Sequence, residues 1–159
     1  MSATSDRPSG PASAPATAEL LDGEELAAWR GMLRVHAELT KALDAELTRA
    51  HALPLTSYEV LLFLADAPEG RMRMSELADS VLLSRSGLTR LVDRLERAGF
   101  LERVQCEDDA RGYFAELIPA GRRQFDEARR THLDGVRKLF LGRYSRDELR
   151  LLGGLWERL

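Results

Sequence analysis

Residues 84–103 read SRSGLTRLVDRLERAGFLER, and the fold prediction depends most on this segment. Within it, apolar side chains recur with the i, i+3, i+4, i+7 spacing of one helical face. Ser84 is a favourable N-cap residue, and Gly99 is a favourable residue to end a helix. The pattern predicts an amphipathic helix whose buried stripe consists of Leu88, Leu91, Val92 and Leu95.

The opposite face of this helix is polar and rich in arginine. Short side chains near its start would let the backbone approach DNA closely, and Arg90 could donate two hydrogen bonds to a guanine. The alternative is a solvated face held by i,i+4 ion pairs. A helical wheel places these residues on the polar face or its flank: Ser86, Thr89, Arg90, Asp93, Arg94 and Arg97.

Short predicted elements lie before and after this helix. Upstream, residues 71–73 alternate like a short strand, and residues 75–80 form a short helix. Downstream, two strand-like runs at 100–106 and 112–118 surround EDDAR, which predicts a β-hairpin with a loop of about five residues. Two short helices followed by a hairpin predict a winged helix-turn-helix.

Longer helices precede this unit. Residues 24–51 have helical periodicity and would span roughly 40 Å, which is longer than a small domain needs. Such a helix is expected to pack partly against another chain. A second helix is predicted to start with a capping box formed by Thr56 and Glu59, and its run VLLFLA at 60–65 should be buried.

Two more helices follow the hairpin. Pro119 suits the first turn of a helix over 120–141, and Ser145 can cap a last helix that ends the chain. The predicted fold class is therefore mainly α with a small β-hairpin wing. In the helix over 120–141, the residues expected to face inward are Phe125, Ala128, Leu133, Val136 and Phe140.

Composition narrows the possible functions. The 159 residues are enough for one core, and Cys106 is the only cysteine, so neither an internal disulfide nor a cysteine-based zinc site can form. No nucleotide-binding or catalytic motif is found, and no cofactor is expected. The chain has no apolar run of membrane-spanning length, the proline-containing residues 1–19 are predicted to be disordered, and the location expected is the cytoplasm.

Charge is distributed unevenly along the chain. Residues 1–70 hold five basic and eleven acidic side chains, whereas residues 71–103 hold seven basic and five acidic ones. Residues 121–143 hold seven basic and three acidic side chains. The overall net charge of −3 therefore does not exclude a nucleic-acid partner, because distribution matters more than the sum.

With these motifs in order, the chain resembles the MarR (multiple antibiotic resistance regulator) family of bacterial transcription regulators. The resemblance is carried by SRSGLTRLVDRLERAGFLER and by DDARG at 108–112, and it extends over about residues 22–159. It implies a homodimer on the double-stranded DNA of a palindromic operator. Residues 55–118 would form the DNA-binding part, and the helices at 24–51 and 120–159 would form the dimerisation region.

The resemblance also assigns roles to single residues. Arg111 would enter the minor groove from the tip of the wing, Asp109 would brace it, and Gly112 would let the backbone bend. Family members usually carry Thr where Ile118 stands, and Ile118 cannot cap the following helix as that Thr would. The full set expected at the DNA is Arg73, Ser84, Arg85, Ser86, Thr89, Arg90, Arg94, Asp109 and Arg111.

Regulation by a small molecule is a further implication. Relatives often act as repressors that an aromatic or amphipathic ligand releases from DNA. Trp29, His36, Tyr58 and Phe63 could line such a ligand pocket, with plain core packing as the alternative.

Other functions are weaker alternatives. The fold could serve as a protein-interaction module without DNA binding, although Arg90, Arg94 and Arg111 argue against this. No nucleophile–base pair supports an enzyme. Cys106 could sense oxidants but is expected to be inert. The histidines, His36, His51 and His132, are scattered along the sequence, and a zinc site formed by them is a weak alternative.

Overall fold

A computed structural model of the chain describes residues 20–106 and 109–158, with the backbone alone at 109–111. Two compact units divide the chain, residues 1–34 and 35–159. The predicted disorder of residues 1–19 lies outside the described residues. The order of elements agrees with the predicted order of helices and strands.

Six α-helices and three strands are present in the described part of the chain. Short 3₁₀ turns lie at Pro68–Gly70 and Leu141–Arg143. The elements are α1 (Gly23–His51), α2 (Leu55–Asp66), β1 (Arg71–Arg73), α3 (Met74–Ser80), α4 (Arg85–Arg97), β2 (Leu101–Cys106), β3 (Asp109–Leu117), α5 (Pro119–Leu139) and α6 (Arg146–Trp156).

The three strands form one antiparallel sheet in the order β1-β3-β2. Phe114 of β3 lies opposite Arg73 of β1 on one side and Val104 of β2 on the other. The register of the hairpin shifts between Gln105 and Cys106, and Cys106 pairs with Asp109. The predicted five-residue loop is therefore wrong, because strand β3 already begins at Asp109.

In the described part of the chain, an apolar core joins the C-terminal half of α1 with α2, α3, α4, the sheet and α5. The stripe predicted for α4 is buried, and so are Leu61, Leu64 and Leu77. On α5, Phe125 and Ala128 are buried as predicted, but Leu133 is 37% exposed. The inward prediction for Leu133 is thus wrong within the single chain, because its position on α5 faces away from this core.

The start of α2 differs from the prediction. The helix begins at Leu55, so Thr56 already lies inside its first turn and makes no capping hydrogen bond. Instead, the Leu55 amide donates to the Asp44 carboxylate of α1 over 2.8 Å. A carboxylate at a helix N-terminus satisfies an unpaired N–H and interacts favourably with the helix dipole.

The two later helix starts follow the sequence. Pro119 lies in the first turn of α5, and Ile118 at its N-cap makes no side-chain hydrogen bond, as its hydrocarbon side chain requires. Ser145 and Glu148 form a reciprocal capping box at α6, in which the Ser145 hydroxyl accepts from the Glu148 amide. The pairing lowers the pKa of Glu148, because the carboxylate accepts hydrogen bonds from the Ser145 amide and hydroxyl.

Candidate nucleic-acid interface

Helix α4 is held with one face outward. The Ser84 hydroxyl accepts from the Gly87 amide over 3.1 Å, which confirms the predicted N-cap. Gly99 follows the helix with φ +72°, a left-handed conformation that glycine adopts without strain. Because Leu88, Leu91, Val92 and Leu95 are all buried, the rotation of α4 about its axis is fixed, and its polar face must point to solvent.

The outward face of α4 carries cations that have no partner in the described part of the chain. Arg85, Arg90 and Arg94 are exposed, and none of their guanidinium groups bonds to another described residue. Arg97 differs, since its Nε donates to the Asp93 carbonyl over 3.0 Å. Three uncompensated guanidinium groups on one helix make this face attractive to anions.

The small polar residues expected at the DNA are partly engaged within the chain. The Thr89 hydroxyl donates to the Arg85 carbonyl over 2.9 Å. The Ser84 and Ser86 hydroxyls lie 3.3 Å apart, and Ser84 also caps the helix. Each of these hydroxyl oxygens retains capacity to accept, and all three residues are exposed.

Arg73 lies beside α4 on the sheet. It ends β1, it is half-buried, and its guanidinium carbon lies 5.3 Å from the centre of the Phe114 ring. Arg71 contacts the same ring at 5.2 Å and pairs with Glu69 at 2.6 Å. The cation–π contact holds Arg73 on the sheet, so its charge is less available than the charges on α4.

The tip of the wing is described only in part. The backbone of Asp109 and Arg111 belongs to β3. Their side chains lie outside the described residues, so their roles at the tip of the wing stay predictions.

A groove of about 830 Å³ separates α4 from the wing. Arg73 and four residues of α4 line one side of this groove, and residues of β2 and β3 line the other. Its lining residues are Arg73, Met74, Ser75, Arg85, Leu88, Thr89, Glu96, Arg103, Gly112 and Tyr113.

Arg103 at the edge of this groove was missed by the sequence interpretation. Its guanidinium bonds to the Asp93 carboxylate, lies 3.2 Å from a Glu96 carboxylate oxygen, and donates to the Thr89 carbonyl over 3.4 Å. Its amide also donates to Glu96 over 3.1 Å. The sequence signal was faint: two acids on an otherwise basic helix, followed by an arginine on the next strand.

None of the four residues suggested for a ligand pocket lines either of the grooves described for this chain. Trp29 is an exposed residue of the first unit, and His36 is exposed in the second. Tyr58 is buried in the core, with its ring 5.5 Å from Phe125 and 4.6 Å from His132, and burial raises its pKa. Phe63 packs against the core. For Tyr58 and Phe63 the alternative interpretation, core packing, fits the structure.

The histidines and the cysteine have separate surroundings. His51 Nε2 lies 2.7 Å from the Thr131 hydroxyl, and Gln124 donates to the His51 carbonyl over 3.0 Å. No group of three possible metal ligands occurs among the described residues. Cys106 is buried at the end of β2.

A second groove, of about 300 Å³, lies between α1 and α5, and none of the predicted site residues lines it. In the described part of the chain, no helix is both long and apolar enough to cross a bilayer.

Helix α4 packed on a core, with an antiparallel wing beside it, defines a winged helix-turn-helix protein. The sequence profile of the MarR family matches residues 51–112. Sco3205 of Streptomyces coelicolor, a MarR family transcriptional regulator solved in complex with DNA, is 33% identical, with 87% of each chain covered and a TM-score of 0.82. The chain therefore belongs to the MarR family of transcriptional regulators.

Other relatives agree with this assignment. AbsC of Streptomyces coelicolor, also a MarR family regulator, is 32% identical over 86% of this chain and 92% of its own, with a TM-score of 0.80. The transcriptional repressor YetL of Bacillus subtilis is 29% identical over 64% of this chain, and the match spans 63% of its length. The predicted fold class is confirmed, and so is the predicted class of protein, a transcriptional regulator rather than an enzyme.

Proposed function

We propose that the protein binds operator DNA through the outward face of α4 and through the wing. The observation that carries the proposal is the set of cations on α4: the buried stripe fixes the helix, and Arg85, Arg90 and Arg94 have no partner among the described residues. Such arginines fit DNA phosphates and the acceptor edge of guanine. The likeness to Sco3205, which was solved with DNA, supports the same conclusion.

Each residue of the interface has a role in this proposal. Arg90, on the second turn of α4, reads a base in the major groove, whereas Arg85 and Arg94 neutralise phosphates on either side. Ser84, Ser86 and Thr89 offer hydroxyls near the start of the helix. Arg73 approaches from β1, and the wing residues Asp109 and Arg111 reach the minor groove.

The functional unit is a homodimer. Helix α6 presents apolar side chains that its own chain leaves in solvent: Leu151 is 65% exposed, Leu155 41% and Trp156 49%. Exposed apolar residues on one short helix are typical of a surface that a partner covers. A two-fold dimer would place two copies of α4 on two half-sites, so the operator is a palindrome. Residues 55–118 bind DNA, and residues 24–51 and 120–159 dimerise.

Repression is the more specific part of the proposal. YetL is named as a repressor, and its match covers the greater part of this chain. A bound dimer would exclude the transcription machinery from a promoter that overlaps the operator. A small aromatic or amphipathic molecule would release it by favouring a conformation with lower DNA affinity.

Selection from randomised duplexes tests the proposal. The full chain should enrich a palindromic sequence, and fluorescence anisotropy should then give a salt-dependent affinity for it. Arg90→Ala should weaken binding by roughly 1–3 kcal/mol per half-site and relax the preference at one base position. Arg150→Ala, on α6, is the matched control and should bind like the wild type. A wild-type chain that enriches no duplex would contradict DNA binding and favour a protein-interaction module.

Ligand release has a separate test. Titration calorimetry with a candidate effector, run with and without the selected duplex, should give lower ligand affinity in the presence of DNA. DNA must weaken ligand binding by the same factor by which the ligand weakens DNA binding, because both effects belong to one thermodynamic cycle. Equal ligand affinity in both titrations would exclude that molecule as the releasing effector.

A further inference from the structure

The wing is a hairpin whose far half extends beyond the three-stranded part of the sheet. Strand β1 pairs with β3 only from Glu116 to Phe114, opposite residues 71–73. Between Asp109 and Tyr113, β3 has β2 as its only strand partner in the described part of the chain. The distal half of the wing is therefore an arm, and its direction depends on contacts at the place where it leaves the sheet.

Arg103 lies at that place. It stands opposite Ala115, one rung before the last three-stranded rung at Phe114. From there its side chain crosses to α4 and bonds to Asp93, Glu96 and the Thr89 carbonyl. The backbone amide of the same residue donates to Glu96, so both the side chain and the main chain of β2 are fastened to the helix.

The cluster of Arg103, Asp93 and Glu96 is suited to fixing β2 against α4 rather than to contacting DNA. One guanidinium faces two carboxylates, so the cluster carries a formal charge of −1 and would repel a phosphate. Arg103 is half-buried, and its donors are already directed at three acceptors within the chain. A planar guanidinium can bridge two carboxylates at a fixed angle, which an ammonium group cannot do.

Resting on the proposed function, we propose that Arg103 is a positioning residue for DNA recognition. Helix α4 is anchored independently by its four buried side chains. The element that Arg103 positions is therefore the wing, which it holds at the angle needed for its tip and α4 to reach DNA together. Loss of Arg103 should remove the contribution of the wing to DNA affinity and leave the contribution of α4 unchanged.

A double-mutant cycle on the selected duplex tests this. Arg103→Gln should bind about tenfold more weakly than the wild type, the size expected for loss of a coupled contact. Adding Arg111→Ala to Arg103→Gln should cost little more, because the wing is already misplaced. Adding Arg90→Ala to Arg103→Gln should weaken binding further, by the same factor as Arg90→Ala does in the wild type, because α4 has not moved.

The controls separate positioning from general damage to the fold. Asp93→Asn combined with Arg103→Gln removes the uncompensated carboxylate at Asp93, and this pair should keep the wild-type melting temperature while retaining the binding defect. Hydrogen exchange should accelerate in the amides of 101–106 and 113–117 but not in those of 85–97. Arg103→Lys should give a smaller defect. If Arg103→Gln does not fold, the cycle is run with Arg103→Lys.

Two results would overturn the inference alone. In the first, the double variant loses affinity by the product of the two single-variant factors for Arg103→Gln and Arg111→Ala, which would mean that the two residues act independently. In the second, Arg111→Ala binds like the wild type, so the wing contributes nothing for Arg103 to position. Failure of the wild-type chain to select any duplex would instead overturn the proposed function, and this inference with it.

Discussion

Gly121 of α5 lies directly against the backbone carbonyl of Phe100. A Cβ atom at position 121 would be 1.8 Å from the Phe100 oxygen and 2.7 Å from its carbonyl carbon. The same oxygen accepts from the Ile118 amide over 3.3 Å, so the start of α5 and the start of the wing meet here without room for a side chain.

Gly121→Ala should therefore be strongly destabilising. The neighbour is backbone rather than the end of a flexible side chain, so relief requires α5 or the wing to shift. We expect a loss of about 2–4 kcal/mol in the free energy of unfolding, at the upper end for overpacking. Urea denaturation measures it, with Gly23→Ala as the control, since nothing lies within 4 Å of a Cβ there. Equal stability of the two variants would contradict the close contact.

Leu82 should become more favourable as glycine. It follows α3 with φ +53° and is 91% exposed, so it combines a strained backbone with little packing. Glycine adopts this conformation freely, and Leu82→Gly should raise the free energy of unfolding by roughly 1 kcal/mol. The control Leu83→Gly should lower it, because Leu83 packs against the core. A fall in thermal stability for Leu82→Gly would show that Leu82 makes a contact that the single chain does not reveal.

Stability should fall in mild acid because of His132. Its Nδ1 is buried without a partner among the described residues, its ring lies tilted against Tyr58 at 4.6 Å between ring centres, and burial lowers its pKa. Above the ordinary histidine pKa of about 6.5, both folded and unfolded forms are neutral and this group adds no pH dependence. Below it, the unfolded chain binds a proton that the folded chain resists, so the free energy of unfolding decreases.

Denaturation at several pH values between 5 and 8 checks this. His132→Phe keeps a ring beside Tyr58 and should flatten this part of the profile. His36→Gln, at an exposed position, is the control and should leave the decrease in place. A decrease of the same size in His132→Phe would assign the acid sensitivity to another group.

Arg111→Ala should change DNA binding in a different way from Arg90→Ala. If the wing enters the minor groove, where the base code is degenerate, Arg111→Ala should weaken binding with discrimination retained in the major-groove core. Any change of preference should fall on A·T-rich flanks. The slope of log affinity against log salt should also decrease, because a cation leaves the DNA surface. Unchanged affinity and an unchanged slope would mean that the wing does not touch DNA.

The apolar face of α6 should be required for assembly. Leu151→Glu with Leu155→Glu places two charges on this face and should give a monomer or aggregates by light scattering, with loss of operator binding. Arg150→Gln, on the same helix and ion-paired at the surface with Asp147, should remain dimeric. A DNA-binding dimer that carries both glutamates would place the dimer interface elsewhere.

Much of the DNA-binding unit could be predicted from local sequence. Helix α4 follows from the spacing of Leu88, Leu91, Val92 and Leu95, because a 3.6-residue period fixes which face is buried whatever the partner. Its two ends follow from Ser84 and Gly99, whose preferences act within one turn of the chain. The same holds for the capping box of α6 at Ser145 and Glu148.

Contacts between residues distant in sequence could not be predicted in this way. The cap of α2 comes from Asp44, eleven residues before Leu55, and not from Thr56, because a charged oxygen brought in by α1 satisfies the Leu55 amide one residue earlier. The clamp of Arg103 on Asp93 and Glu96 likewise exists only once β2 lies along α4. Sequence periodicity records which side of an element is buried, whereas the partner of a polar group depends on how whole elements pack, and only the folded chain determines that.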